Sequence, residues 1–272
     1  MPPVRLVASD LDGTLLAPGG RLTERTVAAL AAAAAAGIHV VPATGRSWRT
    51  ALPRLAPAPG LRWLVCSNGA LLYDRDAGSV AAHHPIAATS LPRVVASLRA
   101  GLPDVSFGWE VPAGWGWEAA FLAQGGPPDA DRDVVVERLG TPWPEGVTKL
   151  FVGHPDLELH GLLAVIEPLL VDGLVASSSG ALFVEVTGAG VDKAFGVAHL
   201  CGRLGIDRSE VVALGDHLND VALLRWAGRG VAMGNADASA LAVAGERTAS
   251  NADDGAARVI EQLVTEAAPA GG

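Results

Sequence analysis

Short apolar runs alternate with amphipathic stretches in the first third of the chain. The runs predicted as buried strands are residues 4–9, 38–42 and 63–66. Between them, Thr23 can cap a helix that ends before Gly37, and residues 47–55 show a second, shorter helical pattern. This alternation of strand and helix favours a parallel sheet with helices on its faces.

The same alternation returns in the last third of the chain. Strands are predicted at residues 211–214 and 230–233. Helices are predicted at residues 191–204, 218–226, 237–243 and 253–264. Both ends of the chain are therefore expected to form one α/β unit, a Rossmann-like parallel sheet core sandwiched by helices.

The middle of the chain has a different order of elements, because its apolar runs do not alternate regularly with helices. Helices are predicted at residues 91–98 and 157–170. Strands are predicted at residues 105–109, 134–136, 149–152 and 182–186. This mixture predicts an α+β cap domain at residues 84–187, inserted into a core of residues 1–83 and 188–272.

Composition narrows the class of protein and of partner. The 272 residues are 50% hydrophobic and 18% charged, which excludes a disordered or coiled-coil chain. The 20 Lys and Arg against 29 Asp and Glu give a net charge of −9, which argues against a nucleic-acid partner. Cys66 and Cys201 fit neither a disulfide framework nor a zinc site. With no apolar run of the roughly 20 residues that a membrane span requires and no signal-peptide pattern, we expect a cytoplasmic protein without a membrane partner; no pattern predicts an oligomeric state.

Four short motifs stand in a definite order along the chain. They are Asp-Leu-Asp-Gly-Thr at 10–14, Ala-Thr-Gly-Arg at 43–46, Lys193 opening a predicted helix, and Gly-Asp-His-Leu-Asn-Asp at 215–220. The first or the last pattern alone is expected by chance on the order of a few times in a thousand chains of this length. The motifs follow predicted strand ends, and open parallel sheets bind their ligands at the carboxyl ends of the strands.

The spacing of the acidic residues has a chemical consequence. Residues i and i+2 of an extended chain project to the same side, so Asp10 and Asp12 can reach one site while Gly13 lets the backbone turn away. Asp216 comes from another strand end, with Asp220 as a further candidate. Carboxylates this close repel one another unless they surround a hard cation, and Mg²⁺ prefers such oxygen ligands. We therefore predict a magnesium site with Asp10, Asp12, Asp216 and Asp220 as its ligand candidates.

With these motifs, the chain resembles the haloacid dehalogenase-like superfamily of phosphohydrolases, in particular its Cof-type sugar-phosphatase branch. The flanking parts look like the catalytic core of that branch, and the middle looks like its large α/β cap. The resemblance implies that Asp10 is the nucleophile that takes the phosphoryl group and that Asp12 is the acid and base. It also implies that Thr44 and Lys193 hold the phosphoryl oxygens, while Asp10, the backbone oxygen of Asp12 and Asp216 bind Mg²⁺.

Further residues are candidates for contact with the substrate. They are Gly45, Arg46, Asn68 and Asn219. Arg46 could equally contact the substrate, its phosphate or a nearby aspartate. The segment around Asn68 is a turn after a strand in the structural interpretation, and in the resembled branch it lines the site. His217 could face the substrate, whereas Asn251 could be no more than a helix cap.

Aromatic residues of the predicted insert leave two interpretations open. A platform that stacks against sugars is one, and burial in a core, which is more common for aromatic side chains, is the other. The residues concerned are Trp109, Trp115, Trp117 and Trp143.

The function that these observations favour is a Mg²⁺-dependent phosphatase for a small phosphorylated metabolite, expected to be a sugar phosphate, which acts through an aspartyl-phosphate. A phosphomutase or other phosphotransferase would use the same intermediate, and the products distinguish the two reactions. A catalytically silent regulatory module is the third hypothesis, and the complete set of motif residues argues against it. Nucleotide-binding loops of the P-loop or dinucleotide type are missing from the sequence.

Overall fold

The computed structural model describes residues 2–58, 60–125, 133–179 and 181–267. The chain divides into two compact units. The first, here called the core, consists of Met1–Ala81 and Lys193–Gly272. The second, here called the insert, is Ala82–Asp192, whereas the sequence predicts residues 84–187.

The elements are named in chain order. The strands are β1 (Leu6–Ser9), β2 (His39–Pro42), β3 (Trp63–Cys66), β4 (Leu71–Asp74), β5 (Ser79–His83), β6 (Ser106–Val111), β7 (Gly114–Glu118), β8 (Val134–Val136), β9 (Lys149–Gly153), β10 (Val175–Ser177), β11 (Val184–Thr187), β12 (Val211–Gly215), β13 (Arg229–Ala232) and β14 (Glu246–Arg247). The α-helices are α1 (Glu24–Ala35), α2 (Trp48–Ala51), α3 (Ser90–Gly101), α4 (Ala119–Ala123), α5 (Leu159–Ile166), α6 (Lys193–Leu204), α7 (Val221–Trp226), α8 (Ala238–Leu241) and α9 (Gly255–Ala267).

The core is built on a parallel sheet. Its described strands have the order β14-β13-β12-β1-β2, and every neighbouring pair is parallel. All residues of β1 and β12 are buried, which is expected for central strands covered by helices on both faces. Helix α1, capped by the Thr23 side chain, packs against α9, and α6 packs against α7. The predicted Rossmann-like class is confirmed.

A second, smaller sheet was only partly predicted. Its described strands have the order β3-β4-β5, and β3 pairs with β4 in antiparallel fashion. The sequence predicts β3 but neither β4 nor β5. A single parallel bridge between Ala43 and Val65 joins the end of β2 to β3. The loop after β2, which carries the second motif, is therefore held beside β3.

The insert contains a mixed sheet with the order β10-β11-β9-β6-β7-β8 in the described residues. Only its β7–β8 pair is parallel among the pairs that the structure describes. Helices α3 and α5 pack their apolar residues against Phe107, Leu150 and Val184 of this sheet. The predicted helix 157–170 is shorter in the structure, because α5 ends at Ile166 and Pro168 cannot continue it.

Three of the four tryptophans of the insert lie in a core. Trp109, Trp115 and Trp117 are 6%, 4% and 1% exposed, and Trp143 is half-buried against the α3/α5 side. Of the β6–β7 hairpin that carries the first three, the sequence predicts the first strand, β6, at residues 105–109 but not β7, whose two glycines are typical of loops. A Cβ atom on Gly116 would lie 1.9 Å from the Trp109 ring, so the glycines make room for indoles. Every helix in the described ranges lacks the length and hydropathy of a membrane-spanning segment.

Candidate active site

The first motif begins where β1 ends. Asp10 is 6% exposed, and its backbone N–H donates to the carbonyl of Leu214 at 2.9 Å, which extends the pairing of β1 with β12 by one residue. Its carboxylate Oδ1 accepts a hydrogen bond from Nζ of Lys193 at 2.6 Å. Two residues that are 183 positions apart in the chain therefore form a buried ion pair at the carboxyl end of the sheet.

Lys193 lies between two carboxylates. Its Nζ donates to Oδ1 of Asp10 and to Oδ1 of Asp220, both at 2.6 Å, and the side chain is fully buried. A cation in the first turn of a helix is unfavourable because the helix dipole is positive there. Burial would lower the pKa of Lys193, but the charges of Asp10 and Asp220 outweigh burial and raise it. The two carboxylates thus hold a charged ammonium group where the helix alone would not favour it.

Asp220 is held in place by backbone groups as well. Its Oδ2 accepts hydrogen bonds from the backbone N–H groups of Asp216 and His217, both at 3.0 Å. This close approach requires Gly215, because a Cβ atom there would lie 2.5 Å from Cγ of Asp220. The Gly-Asp-x-x-Asn-Asp motif therefore folds back on itself, and its last carboxylate accepts hydrogen bonds from the backbone at its first aspartate.

Asp216 packs over the turn of the first motif. Its Oδ1 accepts a hydrogen bond from Oγ1 of Thr14 at 2.7 Å, and its Oδ2 would lie 2.2 Å from a Cβ atom on Gly13. Gly13 has a φ of +82°, which side-chain-bearing residues rarely adopt. Burial raises the pKa of Asp216 to about 6; the Thr14 hydrogen bond opposes this rise, and the nearby charge of Asp220 adds to it.

The carboxylates form one negatively charged cluster. Asp10, Asp216 and Asp220 offer oxygen atoms that lie within 4.8 Å of one another. Burial raises the pKa of Asp10 well above its usual value; the Lys193 charge opposes this rise, and the charges of Asp220 and Asp216 add to it. One ammonium group against three carboxylates leaves two negative charges uncompensated when all three are ionised. The donor set, made only of oxygens, and this charge both fit a divalent hard cation.

The side chain of Asp12 is more exposed than that of Asp10. Its side chain is 42% exposed, and both carboxylate oxygens accept hydrogen bonds from Arg46, from Nε at 2.6 Å and from Nη2 at 2.8 Å. This bidentate pair joins the first and second motifs. Of the alternatives that the sequence left open for Arg46, the structure shows contact with an aspartate.

The second motif and the loop after β3 support each other. Thr44 is buried, its N–H donates to the carbonyl of Val65, and its Oγ1 accepts from the N–H of Arg46, two residues past it across Gly45. The carbonyl of Thr44 accepts from the N–H of Asn68 at 3.0 Å. Thr44 is thus fixed by backbone contacts in a loop at the end of β2.

Asn68 and Asn219 meet in the structure. The side-chain Nδ2 of Asn219 donates to Oδ1 of Asn68 at 3.1 Å, and the two residues are 8% and 2% exposed. Asn68 has a left-handed backbone with a φ of 54°. Both were predicted to contact substrate; in the structure their amides join the loops that follow β3 and β12.

Three other polar residues lie at this end of the sheet. His217 is one-third exposed, with Nε2 at 3.8 Å from Oδ2 of Asp237. Asn251 donates from Nδ2 to the carbonyl of Leu16 at 2.9 Å, which is more than the capping contact weighed from sequence. Asn235 was missed altogether, although it contacts Asp216, because a single asparagine in a turn carries no recognisable pattern.

The chain is similar to known proteins along most of its length. The model of the haloacid dehalogenase-like hydrolase family matches residues 7–260. The pyridoxal phosphate phosphatase YbhA of Escherichia coli is 30% identical over 277 residues, which cover 94% of this chain and 97% of that protein. The 5-amino-6-(5-phospho-D-ribitylamino)uracil phosphatase YcsE of Bacillus subtilis is 27% identical, with 96% of both chains covered.

A solved structure supports membership of the same family. BT1666 of Bacteroides thetaiotaomicron, a phosphatase of the haloalkanoate enzyme superfamily, superposes with a TM-score of 0.79 at 27% identity and covers 96% of this chain and 95% of its own. The resemblance noted from the motifs is confirmed. The chain belongs to the haloacid dehalogenase-like hydrolase family and is an enzyme of its phosphatase type.

Proposed function

We propose that the enzyme is a Mg²⁺-dependent phosphatase that hydrolyses a small phosphorylated metabolite of the sugar-phosphate type through an aspartyl-phosphate on Asp10. The observation that carries this proposal is the buried group of Asp10, Lys193 and Asp220 with Asp216 beside it. Such a group provides a nucleophile and a fixed positive charge at one end of a parallel sheet, where ligands bind.

In the first step, a carboxylate oxygen of Asp10 attacks phosphorus, the new O–P bond forms, and the bond from phosphorus to the leaving oxygen breaks. Both the carboxylate and the phosphate are anions, and each pair of unit charges at 4 Å costs about 4 kcal/mol at an effective dielectric constant near 20. The buried ammonium of Lys193 offsets part of this repulsion and holds Asp10 in one orientation. Thr44 is proposed to bind a phosphoryl oxygen together with Lys193.

Asp12 donates a proton to the leaving oxygen and then takes one from the water that attacks phosphorus, which breaks the bond to Asp10 and releases inorganic phosphate. In the structure both oxygens of Asp12 are occupied by Arg46. Proton delivery therefore requires Arg46 to release at least one of them. A phosphate group offers alternative oxygens to the guanidinium, so we propose that substrate binding frees Asp12.

Mg²⁺ would be held by Asp10 and Asp216, with the backbone oxygen of Asp12 as a further ligand, and would supply a positive charge that neutralises the phosphoryl oxygens. Asp220 already accepts from Lys193 and from two backbone N–H groups. We propose that it holds Lys193 and the Asp216 loop and contributes its negative charge to the site. Gly45, Asn68 and Asn219 shape the substrate side of the site in this proposal.

The names of two relatives support the proposed substrate class. The names of YbhA and YcsE describe two different small phosphate monoesters, pyridoxal phosphate and a phosphorylated ribitylamino-uracil. We therefore propose a small phosphorylated metabolite, with sugar phosphates as the first group to test. A cytoplasmic location remains part of the proposal.

The test is release of inorganic phosphate from a panel of phosphorylated sugars and vitamins, with Mg²⁺ or with EDTA. We expect turnover only with Mg²⁺, loss of at least a thousandfold in Asp10→Asn, and full activity in Asp76→Asn, which changes an exposed carboxylate on the same unit. Full activity of Asp10→Asn would refute the nucleophile. An isomeric sugar phosphate formed without inorganic phosphate would instead identify a phosphotransferase.

A further inference from the structure

The side chain of Asn235 connects three loops at the carboxyl end of the core sheet. It follows β13, and its Nδ2 donates to the carbonyl of Gly13 at 2.8 Å and lies 3.4 Å from Oδ2 of Asp216. Its Oδ1 accepts from the backbone N–H of Asn251 at 2.9 Å. One amide group therefore contacts the loop of the nucleophile, the loop of Asp216 and the segment that precedes α9.

Asp216 receives donors on both of its oxygens. Thr14 donates to Oδ1 at 2.7 Å, and Asn235 donates toward Oδ2 at 3.4 Å. These two donors lie on the two sides of the carboxylate and restrict its rotation. A metal ligand that is already oriented loses less conformational entropy on binding, which raises affinity.

Asn235 is itself held rigidly. The N–H of Asp237 donates to the carbonyl of Asp216 at 2.9 Å, so the turn that carries Asn235 is tied to the Asp216 loop on its other side. Asn251, which donates to Oδ1 of Asn235, also donates from its side chain to the carbonyl of Leu16. The amide is thus fixed relative to both loops that it contacts.

We propose that Asn235 is a positioning residue that orients Asp216 toward the cation and holds the Gly13 peptide against it; this inference rests on the proposed Mg²⁺-dependent function. The position needs an amide. One end must donate to Gly13 and Asp216, and the other must accept from Asn251, which neither a carboxylate nor an apolar side chain can do. Without this amide, Thr14 alone among the described side chains would donate to Asp216, and its carboxylate would be less restricted.

The test compares Asn235→Ala and Asn235→Leu with the wild type by calorimetric titration of the metal-free protein with MgCl₂. Both substitutions remove the amide that faces Asp216 and add no charge, and leucine has a similar size to asparagine. We expect the dissociation constant for Mg²⁺ to rise about tenfold in both variants, the size of effect that a lost hydrogen bond to a charged group produces. The KM for substrate at saturating Mg²⁺ should stay within about twofold, because the substrate contacts are unchanged.

Gln262→Ala is the matched control, since it removes an exposed amide that bonds only along α9 to Glu266 among the described contacts. It should bind Mg²⁺ as the wild type does. Wild-type Mg²⁺ affinity in Asn235→Ala and Asn235→Leu would overturn the inference and leave the amide with a purely structural bond to Asn251. A wild type that hydrolyses phosphate esters without binding Mg²⁺ would overturn the metal part of the proposed function and the inference with it.

Discussion

A Cβ atom added to Gly13 would lie 2.2 Å from Oδ2 of Asp216. Atoms that are not bonded do not approach this closely, so one of the two loops would have to move. The residue that follows the first two aspartates is therefore a glycine for two reasons: its φ of +82° and the carboxylate packed against its α-carbon. Displacement of Asp216 is the expected result of any side chain here.

Gly13→Ala should lower kcat/KM at least a hundredfold and weaken Mg²⁺ binding. Gly19→Ala is the control, because Gly19 also has a positive φ, +89°, but no atom of the described residues lies within 4 Å of an added Cβ. Both variants carry a backbone strain of about 1 kcal/mol, and only the first displaces Asp216. Steady-state kinetics and thermal unfolding of both proteins check this. Equal losses of activity in the two variants would contradict it.

Lys193→Met should unfold more readily and lose turnover. It leaves Asp10 and Asp220 buried without their cation, and removing one partner of a buried ion pair costs about 3–5 kcal/mol. The free energy of unfolding and the rate of phosphate release are the measurements.

A second buried lysine separates stability from catalysis. Lys149 in the insert is 2% exposed and donates to Glu185 at 2.6 Å, and it has no role in the proposed reaction. Lys149→Met should be destabilised to a similar degree and yet retain measurable turnover below its unfolding temperature. If both variants lose activity alike, destabilisation alone would explain the loss in Lys193→Met.

Asn68→Gly should be more stable than Asn68→Ala by about 1 kcal/mol, because alanine is strained at a φ of 54° and glycine is not. Both substitutions remove the acceptor of Asn219. Asn219→Ala loses the same hydrogen bond without backbone strain and should resemble Asn68→Gly. Chemical denaturation of the three variants measures the differences, and equal stability of the Gly and Ala variants would contradict the strained backbone.

Added MgCl₂ should raise the unfolding temperature more at about pH 7.5 than at about pH 5. Asp216 has a pKa of about 6 without metal, so below that pH the cation must displace a proton from it. The raised pKa of Asp10 acts in the same direction. An equal ionic strength of NaCl is the control, and an Mg²⁺ effect that does not weaken at the lower pH would count against the site.

In the metal-free protein, the contribution of Asp216 to stability should decrease as the pH rises. A carboxyl with a raised pKa binds its proton more tightly in the folded state than in the unfolded state, so its contribution to stability falls as the pH rises from about 4 through about 6. Asp216→Asn, which does not titrate, should flatten this part of the profile. The melting temperature in EDTA across this range is the measurement.

The sequence predicts the core well because its signals are local. β1 and β12 are short apolar runs that end directly in acidic motifs, and the ends of parallel strands converge by construction of the sheet. Lys193 could be selected because it opens the helix at which the α/β pattern resumes. In each case the neighbouring residues in the sequence indicate that the motif lies at the end of a strand or the start of a helix.

Other features depend on contacts between distant parts of the chain. The β6–β7 hairpin contains Gly108 and Gly116, which disfavour a strand locally but accept the rings of Trp117 and Trp109 from the paired strand. Asn235 is placed by hydrogen bonds to Gly13, Asp216 and Asn251, and Gly13 is 222 positions away in the sequence. The pairing of Arg46 with Asp12 was one of several equal alternatives, because the charge alone does not select a partner.

Lys193 is the first residue of the core after the insert and the first residue of α6. A chimaera that exchanges the insert for a foreign module must therefore deliver the chain to this residue in register. A junction that shifts the helix by one residue would turn the ammonium by about 100° around the helix axis, away from its two carboxylates. The point of domain exchange is thus adjacent to the proposed catalytic site, so an exchanged insert must join the core without gaining or losing a residue before Lys193.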